Sequence, residues 1–278
     1  MTQNMNPRQL LERFEISPRR DLGQNFISDP GLLAHIAGLA ALGPDDVVLE
    51  IGPGTGTLTR YLAEAARRVI AVEVDARLIP ILRHELADYP NVELILADIL
   101  DVDLARLLQG APFKVVANLP YYITSAVLRH LLEAPPRPTH MTVTVQREVA
   151  ERLVATPGDM SLLAVSVQFY GAPRICHRIK AGAFWPAPGV DSAVVCIDMH
   201  DTPPVPVADE ARFFQVVRAG FSQRRKQLKN ALAHGLALDA ATTVNALAEA
   251  SIDPRRRAET LSLDEWAALT RALSPHLQ

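Results

Sequence analysis

Short apolar runs and helical stripes alternate along the first two thirds of this chain. Val47-Val48-Leu49-Glu50-Ile51 is almost wholly apolar, and from Thr57 the spacing changes to Leu58, Tyr61, Leu62 and Ala65, one face of a helix. The same change recurs, predicting further strands at 69–74, 92–96, 113–117 and 141–145 and helices at 57–66, 76–87, 103–109, 124–133 and 148–155. Asp29-Pro30, an N-cap followed by a proline at the first helical position, opens another helix reaching about Leu42. Strand-like runs return at 173–179 and 191–199, while Ser161 to Tyr170 fits both periods and its type stays open. Apolar strands alternating with amphipathic helices predict an α/β fold, a mostly parallel sheet covered on both faces. Right-handed crossovers then bring the loops after the first four strands to one edge of that sheet.

The pattern changes at Asp201-Thr202-Pro203-Pro204-Val205-Pro206, where three prolines make a stiff, extended linker. Beyond it only helical spacing is found: Phe213, Phe214, Val216, Val217 and Phe221 share one side of a long helix, and Ser262-Leu263-Asp264-Glu265 reads as a capping box. Two domains follow, a sheet domain over 1–200 with an N-terminal arm at 7–26, and a small all-helical domain over 207–278.

Composition narrows the picture modestly. With 278 residues, 49% of them hydrophobic, the chain can bury a substantial core. A net charge of −3 gives no global case for nucleic acid, so any such binding must rest on local clusters. No apolar run approaches the roughly 20 residues of a membrane span, and Met1 to Pro7 lacks a basic-then-apolar leader, so a cytoplasmic protein is expected. The histidines are scattered without a His-x-x-x-His pair, and no metal site is expected. Cys176 and Cys196 are read as buried or incidental thiols of a reducing compartment.

The strand ends carry the chemistry. The first runs into Gly52-Pro53-Gly54-Thr55-Gly56, where glycines allow a sharp turn and close approach of backbone to a ligand at a helix N-terminus. The second ends at Glu73, 21 residues after Gly52, the interval at which doubly wound folds set a carboxylate on ribose hydroxyls. The third ends at Asp98. The fourth ends in Asn118-Leu119-Pro120-Tyr121, which offers an amide oxygen, a backbone carbonyl and an aromatic face at one point. Two such acceptors suit the N–H bonds of an exocyclic amine, with the ring of Tyr121 stacked on the base. By itself each motif has a bland alternative, a strand-ending turn or a cap. Their succession along one sheet does not.

Five motifs in order, Leu22-Gly23-Gln24-Asn25-Phe26, Glu50-Ile51-Gly52-Pro53-Gly54-Thr55-Gly56, Asn118-Leu119-Pro120-Tyr121, Phe184-Trp185-Pro186-Ala187-Pro188-Gly189-Val190-Asp191-Ser192 and Phe221-Ser222-Gln223-Arg224-Arg225-Lys226, resemble the bacterial small-subunit ribosomal RNA adenine dimethyltransferases along nearly the whole chain. The resemblance implies a class I (Rossmann-like) S-adenosylmethionine-dependent methyltransferase that dimethylates two adjacent adenosines in a hairpin near the 3′ end of 16S rRNA. It implies a monomer acting on the small ribosomal subunit precursor. Carried over position by position, Asn25 and Ile27 close over the cofactor, Gly52 and Gly54 approach its methionine part, Glu73 takes the ribose and Asp98 the adenine amine. Asn118 borders cofactor and target alike, Leu119 and Pro120 shape the acceptor loop, and Phe184 holds the flipped adenine opposite Tyr121.

The window 218–229 holds Arg218, Arg224, Arg225, Lys226 and Lys229 without an acid. A solvated helix face is the usual meaning of such a run, but facing a polyanion it would add salt-sensitive affinity. Arg255-Arg256-Arg257 is a candidate extension. Three rival readings stand beside the main one: a 23S rRNA adenine methyltransferase of the macrolide-resistance type, a non-catalytic RNA-binding assembly factor on the same fold, and a nicotinamide oxidoreductase using the glycine loop.

Overall fold

The computed structural model describes residues 6–133, 135–223 and 225–277. Nine strands are seen among the described residues: β1 (Phe26–Ile27), β2 (Val47–Ile51), β3 (Arg68–Glu73), β4 (Val92–Leu96), β5 (Lys114–Asn118), β6 (His140–Gln146), β7 (Gly171–Ile179), β8 (Phe184–Trp185) and β9 (Ser192–Met199). Seven form one sheet in the order β4-β3-β2-β5-β6-β9-β7. Its first five strands are parallel, and β9 runs antiparallel to β6. All five residues of β2 are buried, as expected of an apolar run at the centre of a sheet covered on both faces, whereas the edge strand β4 is half exposed.

Strand order reverses between β2 and β5. The chain builds outward through β3 and β4, then returns to lay β5 on the other side of β2. A crevice opens at such a reversal, beyond the carboxyl ends of the strands, because successive loops diverge there. The short pair of β1 with β8, matching Ile27 to Phe184 and Phe26 to Trp185, ties the N-terminal arm to the loop before β9. Ile27 and Phe184 sit in one apolar cluster with Leu33, Ile36, Leu58 and Leu62.

Residues up to Ala150 together with Pro173–Met199 form one compact unit; Glu151–Ala172 together with the chain from His200 onward form another. The expected boundary at 200–207 therefore misplaces a segment, since 151–172 belongs with the later helices. Its physical reason is the stretch whose type stayed open. Leu162–Tyr170 is a helix capped by Ser161, and seven of its nine residues are buried. A helix buried on nearly every side has no polar face, and so no period to read. Within the second unit Phe169 stacks on Phe213 at 4.7 Å and Tyr170 on Phe214 at 5.6 Å.

Cys176 on β7 and Cys196 on β9 are brought together by the sheet, with Cα atoms 6.2 Å apart.

Candidate active site

The cleft beyond β2 and β5 encloses about 1030 Å³, its open mouth included, and Asn25, Ile27, Gly52, Gly54, Glu73, Asp98, Asn118 and Tyr121 all border it. Eight positions spread over a hundred residues of sequence are brought together by the ends of four strands and the arm. Leu119 and Pro120 border it too.

The glycine loop turns in the left-handed region at Gly52 (φ 69°), Gly54 (φ 62°) and Gly56 (φ 79°). At Gly54 a Cβ would stand 2.9 Å from the Phe26 ring, so the arm can lie on the loop only because no side chain is there. At Gly52 a Cβ would meet no atom within 4 Å, leaving open space beside bare backbone. Such a cradle fits the methionine end of S-adenosylmethionine.

Glu73 is 4% exposed and is not the orphan that burial alone would make it. Its Oε2 accepts from the Gly54 amide at 3.2 Å and its Oε1 from the Asp75 amide at 2.8 Å. Burial pushes the carboxyl above its ordinary range, against the pull of these amides. Each oxygen keeps a second lone pair for a further donor. Asp98 Oδ1 accepts from Leu100 N–H at 3.0 Å, capping the next turn, and Oδ2 accepts from no described residue.

Asn118 sits at the end of β5, where its Nδ2 donates to the Asn25 carbonyl at 2.9 Å. That bond uses one of the two Nδ2 hydrogens and sets which way the amide faces, and Oδ1 accepts from no described residue. The Pro120 carbonyl is already taken by Ile123 N–H and the Thr124 hydroxyl, whereas the Leu119 carbonyl accepts from no described residue. Tyr121, half-buried, bonds through its hydroxyl to Ser192 Oγ at 2.6 Å. Burial holds the phenol above its ordinary pKa, keeping it neutral.

Phe184 is not brought to this cleft. It is 4% exposed and packed in the apolar cluster beneath β1, which the carried-over role of stacking on a target base does not allow in this conformation. The tendency of Phe to pack in a core decides its position here.

Sequence reasoning passed over four residues. Gln24 donates to Asp75 Oδ2 at 2.8 Å and accepts from Arg19 N–H at 2.8 Å, pinning the arm. Asp75 is held below the ordinary carboxylate range by the Arg77 guanidinium and then by Gln24. Its signal was its place two residues after Glu73, on the same face. Glu50 is 1% exposed under the glycine loop, and its Oε2 and the Thr55 hydroxyl have no hydrogen-bond partner among the described residues. Burial pushes Glu50 up to about 8, against the pull of the Thr59 hydroxyl and with the Glu73 charge adding to it. The fourth is Ser192.

The second unit carries the basic cluster. Arg218, Arg225 and Lys226 are exposed and Lys229 is half-buried, and none of them pairs with a described acid; Arg224 lies outside the described residues. The extension at Arg255-Arg256-Arg257 is different: these pair with Asp253, Glu265 and Glu259 respectively. Among the described residues no metal-binding cluster of acids, histidines or cysteines occurs, and no helix is long and apolar enough to cross a membrane.

A switch-point cleft with a glycine cradle and acids closing the next two strands defines a class I S-adenosylmethionine-dependent methyltransferase. The chain belongs to the ribosomal RNA adenine dimethylase family, whose pattern it matches over residues 16–273. It is 48% identical over 263 residues to the ribosomal RNA small subunit methyltransferase A of Dehalococcoides mccartyi, covering 94% of this chain and 90% of that one. To the protein of the same name from Moorella thermoacetica it is 45% identical over 267 residues, 92% of each. Among solved structures, the 23S rRNA methyltransferase ErmE is similar with a TM-score of 0.72 and 31% identity over 90% of this chain and all of that one. A dimethyladenosine transferase from Plasmodium falciparum shares the fold, with a TM-score of 0.76 at 24% identity over 90% of this chain and 97% of that one.

Proposed function

We propose that this enzyme transfers methyl groups from S-adenosylmethionine to the exocyclic amines of two adjacent adenosines near the 3′ end of 16S rRNA, as a cytoplasmic monomer acting during small-subunit assembly. The observation that carries the adenine-amine reading is the Asn118 amide. With the amide oriented by the bond from Nδ2 to the Asn25 carbonyl, Oδ1, which accepts from no described residue, is the acceptor for a substrate N–H.

S-adenosylmethionine supplies an electrophilic methyl on an excellent leaving group, so the chain's task is alignment. Asn118 Oδ1 and the Leu119 carbonyl accept the two N–H bonds of the amine and favour a tetrahedral nitrogen, stabilising the positive charge that develops there. Tyr121 offers its ring to a base taken out of its stack. Gly52, Glu73 and Asp98 hold the cofactor. The cations at 218–229 add affinity for the phosphate backbone.

The small-subunit assignment rests on the relatives at 45–48% identity over nine tenths of the chain; ErmE, at 31%, is the measure of the large-subunit alternative. The test is to map dimethyladenosine on both ribosomal RNAs from a strain lacking this gene, with and without its return. Restoration on 16S rRNA alone is expected; a mark restored on 23S rRNA would reverse the assignment.

A further inference from the structure

The Tyr121–Ser192 hydrogen bond joins two motifs 71 residues apart, and nothing in the proposed chemistry yet uses it. Ser192 is fully buried and is the first residue of β9, paired in register with Gln146 on β6. Its surroundings are fixed on both sides. The Arg147 N–H donates to the Asp191 carbonyl at 2.9 Å, and the Asp191 carboxylate accepts from Ala181 N–H at 3.1 Å and from Lys180 at 3.1 Å. The Ser192 hydroxyl is therefore an anchored point on the sheet.

Tyr121 is tethered differently from its neighbours. Asn118 is held through Asn25, Leu119 through its N–H to the Thr144 carbonyl, and Pro120 through Thr124. Asn118 and Tyr121 are both held through the end of a side chain, and at Tyr121 that bond fixes an aromatic ring. A ring fixed at both ends has one orientation; a ring fixed at Cα alone has several rotamers.

The reaction makes this matter unequally. In each transfer the amine lone pair forms the new N–C bond, the C–S bond breaks with its electron pair left on sulfur, and one N–H proton is released to solvent. Before the first transfer two N–H bonds are available to Asn118 and Leu119; before the second only one remains. Hydrogen bonding then orients the base less, and stacking must orient it more.

We infer that Ser192 is a positioning residue for Tyr121, and that its contribution falls mainly on the second methyl transfer. This rests on the reading that Tyr121 stacks on the target adenine. Single-turnover methylation of a small-subunit rRNA substrate, followed by nucleoside analysis, separates the two rates for wild type, Ser192→Ala, Tyr121→Phe and the double variant. Each single variant should slow the second transfer roughly three- to tenfold, the range for one lost hydrogen bond, with the first much less affected. Monomethyladenosine then accumulates, and the double variant is no worse than either single one. Tyr121→Phe approaches the bond from its other end, so the test stands even if Ser192→Ala does not fold. Equal slowing of both steps, additive losses, or unchanged rates in folded variants would overturn the inference. Wild-type protein that makes no dimethyladenosine would instead overturn the functional reading beneath it.

Discussion

Glu50 ionises out of step with its surroundings. Its folded value of about 8 lies above the ordinary 4.5, so the folded state holds a proton that the unfolded chain has released. Stability from this group is complete below the ordinary value and is lost as pH rises through about 8. Melting temperature between pH 6 and 9 should therefore fall more steeply for wild type than for Glu50→Gln, which has no proton to lose. Parallel curves would mean that Glu50 is already ionised in the fold. At the other side of the cleft, Asn118→Ala should reduce methyl transfer by about a hundredfold or more, the scale of a lost transition-state contact. Calorimetric titration should show cofactor affinity falling less than about tenfold, because only the tether to Asn25 goes with it. If affinity and turnover fell together, Asn118 would belong to the cofactor pocket alone.

Elements were legible wherever burial was one-sided or punctuated. The run into Gly52-Pro53-Gly54-Thr55-Gly56 announced a strand, a turn and a helix at once, and Glu73, Asp98 and Asn118 could be placed in one cleft because parallel strands deliver their ends to one edge. Leu162–Tyr170 was not legible, since burial all round erases a helical period. The burial of Phe184 was not legible, because a motif does not say which way its aromatic ring packs. Arg255-Arg256-Arg257 looked like a surface charge run although Asp253, Glu259 and Glu265 stand close by in sequence to neutralise it. The glycine loop allows a sharper test of how it works. Gly54→Ala puts a methyl against Phe26 and should cost stability of roughly 1–3 kcal/mol, the usual price of overpacking. Gly52→Ala meets open space, so its melting temperature should drop less while cofactor affinity drops more. Thermal denaturation and titration of both variants decide it; the reverse ranking would remove the cradle assigned to Gly52.

On the scale of the whole molecule, every residue of the cleft falls in the first unit and the basic cluster falls in the second. Neutralising Arg224, Arg225 and Lys226 together should lower the slope of log RNA affinity against log salt by roughly two to three units. Cofactor affinity should not change. An unaltered slope would return these cations to the solvated-face reading. The division of the chain has a further consequence, for the order in which the protein is made. Synthesis completes β9 at Met199 and with it the sheet, while Glu151–Ala172, already made, still lacks its partners. The apolar face of Leu162–Tyr170 must wait for Phe213 and Phe214 to leave the ribosome. A fragment of 200–278 made alone would meet the complementary problem, with those two rings uncovered. It should show no cooperative melting transition, whereas the full chain should; a sharp transition in the fragment would mean that the helix from the earlier segment is dispensable. The last part of the chain is thus the part that closes a unit begun some fifty residues before it.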